Sequence, residues 1–162
     1  RFPQFPLLVQ QRKMTDEERQ NFLSTFKDGG EVCGFAVMGG AFSEGVDLKG
    51  NRLIGAVVVG VGLPQIGIER DLIRNHFPGT GFEYAYQYPG LVRVLQTAGR
   101  VIRDEEDRGI IFLVDRRYRE RRYLDLLPSE WAPRACENTA EVAVNLESFW
   151  SRQQSLFGVS GP

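Results

Sequence analysis

The sequence predicts an α/β domain with a mostly parallel sheet flanked by helices. Three observations point there. Apolar runs at 7–10, 34–38, 54–61 and 110–114 alternate with segments of helical period. The run at 54–61 is continuous and β-branched, the pattern of a strand buried on both faces. Turn-forming or charged segments, GGAFSEGVD, GLPQ and DRRYR, follow the carboxyl ends of these runs, where parallel sheets bind their ligands.

Leu7 to Gln10 reads as a short strand. Thr15 and Glu18 form a capping box that opens a helix from Glu17 to Phe26, ended by Gly29-Gly30. Gly34 to Met38 is a second strand, and Ile54 to Val61 the clearest one. Ile66 to Phe77 carries Ile66, Ile73 and Phe77 on a helical period, and Pro89-Gly90 opens a further helix to about Arg103. Ile110 to Val114 is the last buried strand. Asn138 and Glu141 cap a final helix whose apolar positions are Val142, Leu146, Phe149, Trp150 and Phe157.

Composition narrows the function. The chain has 162 residues, 42% hydrophobic and 25% charged, which fits one globular domain. A net charge of −1 argues against a basic nucleic-acid surface over the whole chain, though not against a local patch. The longest apolar run, around Ile54 to Leu63, is too short to cross a bilayer, so a cytoplasmic protein without a membrane partner is expected. Cys33 and Cys136 lie far apart without metal-ligand spacing and read as reduced thiols, with one disulfide between them as the alternative. A catalytic triad would have to be built on His76, the one histidine, and no G-x-S-x-G is present. The chain begins abruptly at Arg1 and reads as a piece of something longer.

Residues 88–103, YPGLVRVLQTAGRVIR, are the most informative stretch. At about 100° per residue, Leu91, Val94, Leu95, Ala98, Val101 and Ile102 fall on one arc, and Gln96, Gly99, Arg100 and Arg103 on the other. Gly99 inside a helix costs about 1 kcal/mol relative to alanine, and close approach of a backbone or ligand is the expected compensation. Two arginines suit a triphosphate, because guanidinium grips phosphate oxygens bidentately. A solvated face, its arginines paired to Asp104, Glu105, Glu106 or Asp107, accounts for the same pattern.

The loop GGAFSEGVDLKG, residues 39–50, has the G-x-x-x-x-G spacing of a phosphate loop at Gly40 and Gly45, but continues Val46-Asp47 in place of Lys-Ser or Lys-Thr. Glu44 and Asp47 would repel a triphosphate, so it is not a degenerate P-loop.

Gln96-x-x-Gly99-Arg100-x-x-Arg103 resembles motif VI of superfamily-two helicases, and GAFSEGVD looks like their motif V in its S-E-G-[IV]-D form. With LIGAVVVGVGLP, and Asp107-Arg108-Gly109 before the last strand, these segments are similar to the XPD/DinG-type iron–sulfur DNA helicases, the bacterial DinG-like branch most closely, from about Phe5 to Trp131. The resemblance implies a RecA-like, P-loop-NTPase-type fold. Residues 1–135 would form the second, C-terminal motor domain, with 136–162 a helical extension packed on it. ATP and Mg²⁺ would be bound mainly by a first domain, which would also carry the four cysteines of any iron–sulfur cluster. Neither Walker motif nor the cysteine cluster is in this chain, and nor is motif IV, so the sheet is expected to be truncated at its N-terminal end and the chain alone inactive.

By the same resemblance the partners are single-stranded DNA, tracked 5′ to 3′, and the N-terminal motor domain. Arg100 and Arg103 would act as arginine fingers and Gln96 would position phosphate or water. Gly45, Asp47 and Gly99 would lie at the nucleotide, and Ser43, Glu44 and Arg117 at the DNA. The bland account of Ser43 and Glu44 is turn-making and capping. DRRYRERRY, residues 115–123, could hold DNA phosphates or be a solvated, self-paired run. FEYAYQYP, residues 82–89, could stack on bases, though core packing explains it as well. The competing function is a non-catalytic RecA-like module that binds nucleic acid or protein. A flavodoxin-like nucleotide enzyme is the weakest, for want of a phosphate loop after a strand.

Overall fold

The structure is a computed structural model, and it describes residues 5–27, 30–40, 42, 48, 50–103 and 105–157, with side chains to residue 153. The chain divides into two compact units, Arg1–Glu120 and Arg121–Pro162.

The first unit holds strands β1 (Leu7–Val9), β2 (Cys33–Phe35), β3 (Gly55–Val59) and β4 (Ile110–Val114), and helices α1 (Asp16–Ser24), α2 (Ile68–His76) and α3 (Tyr88–Ala98). Both strand pairings are parallel. Leu7 aligns with Cys33 in one ladder and Gly55 with Ile110 in the other. Among the described residues these are two separate two-stranded sheets, where the sequence suggests one. The second unit holds α4 (Arg121–Leu124) and α5 (Thr139–Phe157).

Local chemistry accounts for the helix starts. Thr15 Oγ1 accepts from Glu18 N, and Glu18 accepts from Thr15 N at 2.7 Å, the capping box expected at α1. Asn138 Oδ1 accepts from Glu141 N at 2.9 Å at the start of α5. The end of α1 differs from expectation. The helix stops at Ser24, before the glycines, where the hydroxyls of Ser24 and Thr25 both turn back onto Asn21 O and compete with the helical ladder.

Two more expectations are corrected. Ile66 lies outside α2, and the apolar face of that helix is exposed at Ile68 and Leu72. Among the described residues, strand β3 is covered on one face. Val58 is buried and α3 packs on this strand through its buried Leu91, Val94 and Ala98, while Val57 and Val59 are exposed on the other face.

The tightest packing is backbone on backbone. The chain leaves β3 through Gly60 and Gly62, both with positive φ (87° and 67°). A Cβ on Gly62 would lie 2.6 Å from Gly90 O, and one on Gly90 would lie 2.6 Å from Val61 O. The loop after β3 and the first turn of α3 therefore cross with no room for a side chain on either. Ahead of α3 a π-turn at Glu83–Gln87 buries Ala85, Tyr86 and Gln87. The aromatic run is thereby split: Tyr86 goes to the core, and Tyr84 and Tyr88 stay partly exposed.

Gly62→Ala and Gly90→Ala should each cost about 2 kcal/mol or more in urea unfolding, from overpacking and, at Gly62, backbone strain. Gly55→Ala, whose Cβ would meet only Ile110 O at 3.5 Å, should be close to neutral. Equal effects at the three positions would contradict the crossing.

Candidate functional site

Helix α3 places the motif VI residues. Gln96 is exposed in its last turn and Gly99 is its C-cap, with φ −65°. The expected continuation to Arg103 is not found. After Ala98 the ladder tightens to Arg100 N→Thr97 O at 3.1 Å and Val101 N→Ala98 O at 2.9 Å, then releases. Arg100 thus sits on the turn that follows the helix. Arg103 lies beyond it, where its N–H donates to Asp107 Oδ2 at 2.9 Å. Both arginines are half-buried.

Val101, between them, is buried and fixes the turn. Its methyl occupies the space a Cβ on Gly109 would need, and that Cβ would also lie 3.0 Å from Ile54 O. Glycine ahead of β4 is thus what admits the plug beneath the arginines. Ile102, expected on the buried arc, is exposed instead, because the helix has ended before it.

Gly99 changes meaning. As a C-cap it carries no helix-interior cost, its φ is open to any residue, and a Cβ would meet only Leu95 O at 3.4 Å and Gln96 O at 3.8 Å. Among the described residues nothing in its conformation or packing requires glycine.

Motif V is known through its flanks. Ser43, Glu44, Gly45 and Asp47 lie outside the described residues. Phe42 packs on Phe22 with ring centroids 4.5 Å apart, and Leu48 is buried. Upstream, Gly39 (φ 78°) and Gly40 close a turn in which Gly40 N donates to Val37 O at 3.0 Å, and Gln10 Oε1 accepts from Val37 N at 2.8 Å.

The carboxyl end of β4 is built around Asp115. Its carboxylate accepts from Arg117 N and from Arg117 Nε, both at 2.9 Å, and from Nη2 at 2.7 Å, capping a 3₁₀ turn over Arg116–Arg119. The hydrogen-bonded Arg117 guanidinium holds the Asp115 carboxyl down at about 2, against an ordinary 3.8. Arg117 is thus engaged in shaping the turn, while Arg116 and Arg119 are exposed on it.

Two side chains were not singled out by sequence. Tyr118 is buried in the arginine run, and its Oη donates to Gly60 O at 2.9 Å, tying the end of β4 to the end of β3. Arg93 Nη1 donates to Gly62 O at 3.3 Å, and its side chain lies along Gly39. A basic residue one turn before Gln96, facing two glycine loops, is the signal that could have found it. The segments after β2, β3 and β4 and helix α3 are thus joined at one end of the strands.

The fold is that of a RecA-like α/β domain. A solved structure of apo XPD superposes with a TM-score of 0.60 over 76% of this chain and 27% of that one, at 22% identity. Residues 2–134 match the helicase C-terminal domain family, and the chain belongs to it, as the C-terminal domain of an XPD/DinG-type helicase. The ATP-dependent DNA helicase DinG of Photobacterium profundum is 35% identical over 98 residues, 55% of this chain and 14% of the relative. The ATP-dependent DNA helicase chl1 of Aspergillus niger is 29% identical over 135 residues, 70% of this chain and 15% of the relative. The chain spans less than a fifth of the length of these relatives.

The Asp115 contribution has a defined pH window. Its carboxyl titrates lower in the folded chain than in the unfolded one. The stabilisation is therefore complete above about pH 4 and is lost as the pH falls towards about 2. Asp115→Asn should cost about 1–2 kcal/mol at neutral pH, as loss of a charged cap does, and the gap in urea midpoint should close across that window. A gap constant from about pH 4 to about pH 2 would show that the charge is not what stabilises the turn.

Proposed function

We propose that this domain is the second motor half of an ATP-dependent DNA helicase that moves 5′ to 3′. In this reading it works against a first RecA-like domain that binds most of the nucleotide and its Mg²⁺. Arg100 and Arg103 reach the γ-phosphate across the cleft as arginine fingers, and Gln96 orients phosphate or the attacking water. Gly45 and Asp47 lie beside the nucleotide. Ser43, Glu44 and the turn at 115–119, with Arg117 in it, form part of the single-stranded DNA track. Loss of the γ-phosphate removes the group bridging the domains, and the change of separation moves the strand.

The observation that carries this reading is Gly99. It stands exposed between Gln96 and Arg100, and neither its φ nor its described neighbours demand glycine. A bare backbone at that place fits a surface approached from outside the domain. The half-buried arginines beyond it are held by a packed turn, which favours a fixed charge over a freely solvated one. Two cysteines cannot supply the four thiolates of an iron–sulfur cluster, so any cluster would be held elsewhere in the enzyme.

The test uses the enzyme with both motor domains, since the isolated domain is expected not to hydrolyse ATP. Arg100→Ala or Arg103→Ala should lower DNA-stimulated ATPase by about 10³-fold, the scale of a lost arginine finger, with the fold intact by circular dichroism. Full activity in both variants would leave the non-catalytic binding module as the better reading. Gly99→Ala should leave stability unchanged or raise it by up to about 0.5 kcal/mol while lowering ATPase. Unchanged ATPase would remove the support Gly99 gives.

A further inference from the structure

We propose that Arg93 is a positioning residue that couples the motif V loop to the motif VI helix. The proposal rests on the helicase reading above and concerns a residue to which neither motif assigns a role.

Arg93 projects from the second turn of α3, one turn before Gln96. Its Nη1 donates to Gly62 O at 3.3 Å, at the loop that leaves β3. The rest of the side chain lies against the turn that leaves β2, where a Cβ on Gly39 would come 3.1 Å from Arg93 Nε, 3.2 Å from Cδ and 3.3 Å from Cζ. One half-buried guanidinium therefore spans the loops after two strands that belong to different ladders. Met38 closes the same junction, since its Cε would lie 3.4 Å from a Cβ on Gly62. At Gly62 the backbone leaves no room for another side chain, and at Gly39 the Arg93 side chain itself fills that space. Gly39 and Gly62 have positive φ, and Gly62 is pressed on Gly90.

The geometry gives Arg93 a specific consequence. Gly39-Gly40 leads directly into 41–47, the segment that resembles motif V, and α3 leads directly into Arg100. Among the described contacts, Arg93 is the polar side chain of α3 that reaches both glycine loops. A displacement of the motif V loop by DNA would reach α3 through this guanidinium, as would a displacement of α3 by nucleotide reach the loop. Coupling of two sites through one element is reciprocal, and its usual size is about 5- to 150-fold in an equilibrium constant. An arginine suits the task because its planar fork can hold a carbonyl and lie flat along a peptide at once, which an ammonium cannot do.

The experiment compares Arg93→Met and Arg93→Lys with the wild-type two-domain helicase. Methionine keeps most of the stem and removes the donors. In Arg93→Met the factor by which a non-hydrolysable ATP analogue changes Kd for a fluorescent single-stranded oligonucleotide should shrink about 10-fold, within the range of coupling terms, and DNA-stimulated kcat should fall with it, while KM for ATP and Kd without nucleotide stay within about 2-fold. Arg93→Lys, which can reach the Gly62 carbonyl but not lie along Gly39, should give an intermediate loss, and it decides alone should the methionine variant not fold. A merely structural role would lower the melting temperature and change KM, Kd and kcat together, and that outcome overturns the proposal. So does wild-type stimulated kcat in the variants that fold. Arg100→Ala in the same assay separates the two ideas. If it and Arg103→Ala both keep full ATPase, the helicase reading fails and this proposal with it. If it abolishes ATPase while the Arg93 variants remain fully stimulated, only the role of Arg93 is lost.

Discussion

The crossing of Gly62 and Gly90 sets the rest of the first unit. With 2.6 Å left for a Cβ on either side, a side chain at either glycine would push α3 away from the loop after β3. That contact fixes the start of the helix on the loop after β3, and its buried Leu91, Val94 and Ala98 fix the length on the strand. The place where Arg100 emerges is then a consequence of helix length, at 1.5 Å per residue from the crossing. Residues that carry no side-chain chemistry thereby decide where the arginine stands.

Charge follows the same division of labour. The loop after β2 carries Glu44 and Asp47 where a phosphate loop would carry its lysine, and two arginines stand on and beyond the turn after α3. The turn after β4 is different again. There the Asp115 carboxylate is spent on Arg117 and on the backbone, which shapes the turn and leaves Arg116 and Arg119 exposed. An arginine bound to its neighbouring carboxylate and to the geometry of the turn is a reason to read 115–119 as a built feature rather than as three equivalent arginines.

Much of this was legible in the sequence. The α/β class, the four strands, the capping box of α1, the Asn138 cap of α5 and the buried arc of α3 follow from local period and capping chemistry, which act over a few residues. Helix ends were read less well. Gly29-Gly30 and Arg103 looked like boundaries, but hydroxyls folding back on Asn21 stop α1 early, and the plug of Val101 against Gly109 turns the chain after Ala98. Arg93 and Tyr118 were missed for one reason. Each acts on a backbone carbonyl 31 or 58 residues away, and a carbonyl has no sequence signature.

The one-sided burial of β3 follows from the same physics. Its run of valines has no polar alternation, so the sequence calls for apolar cover on both faces. Helix α3 provides one cover, and Val57, Val59 and Val114 remain exposed on these strands. The mismatch lies in the strand and not in the site, because Val58, α3, Tyr118 and Arg93 all act from the covered face or from the strand ends. The contacts that hold Arg93 and Tyr118 lie at the strand ends, within the first unit and away from those valines.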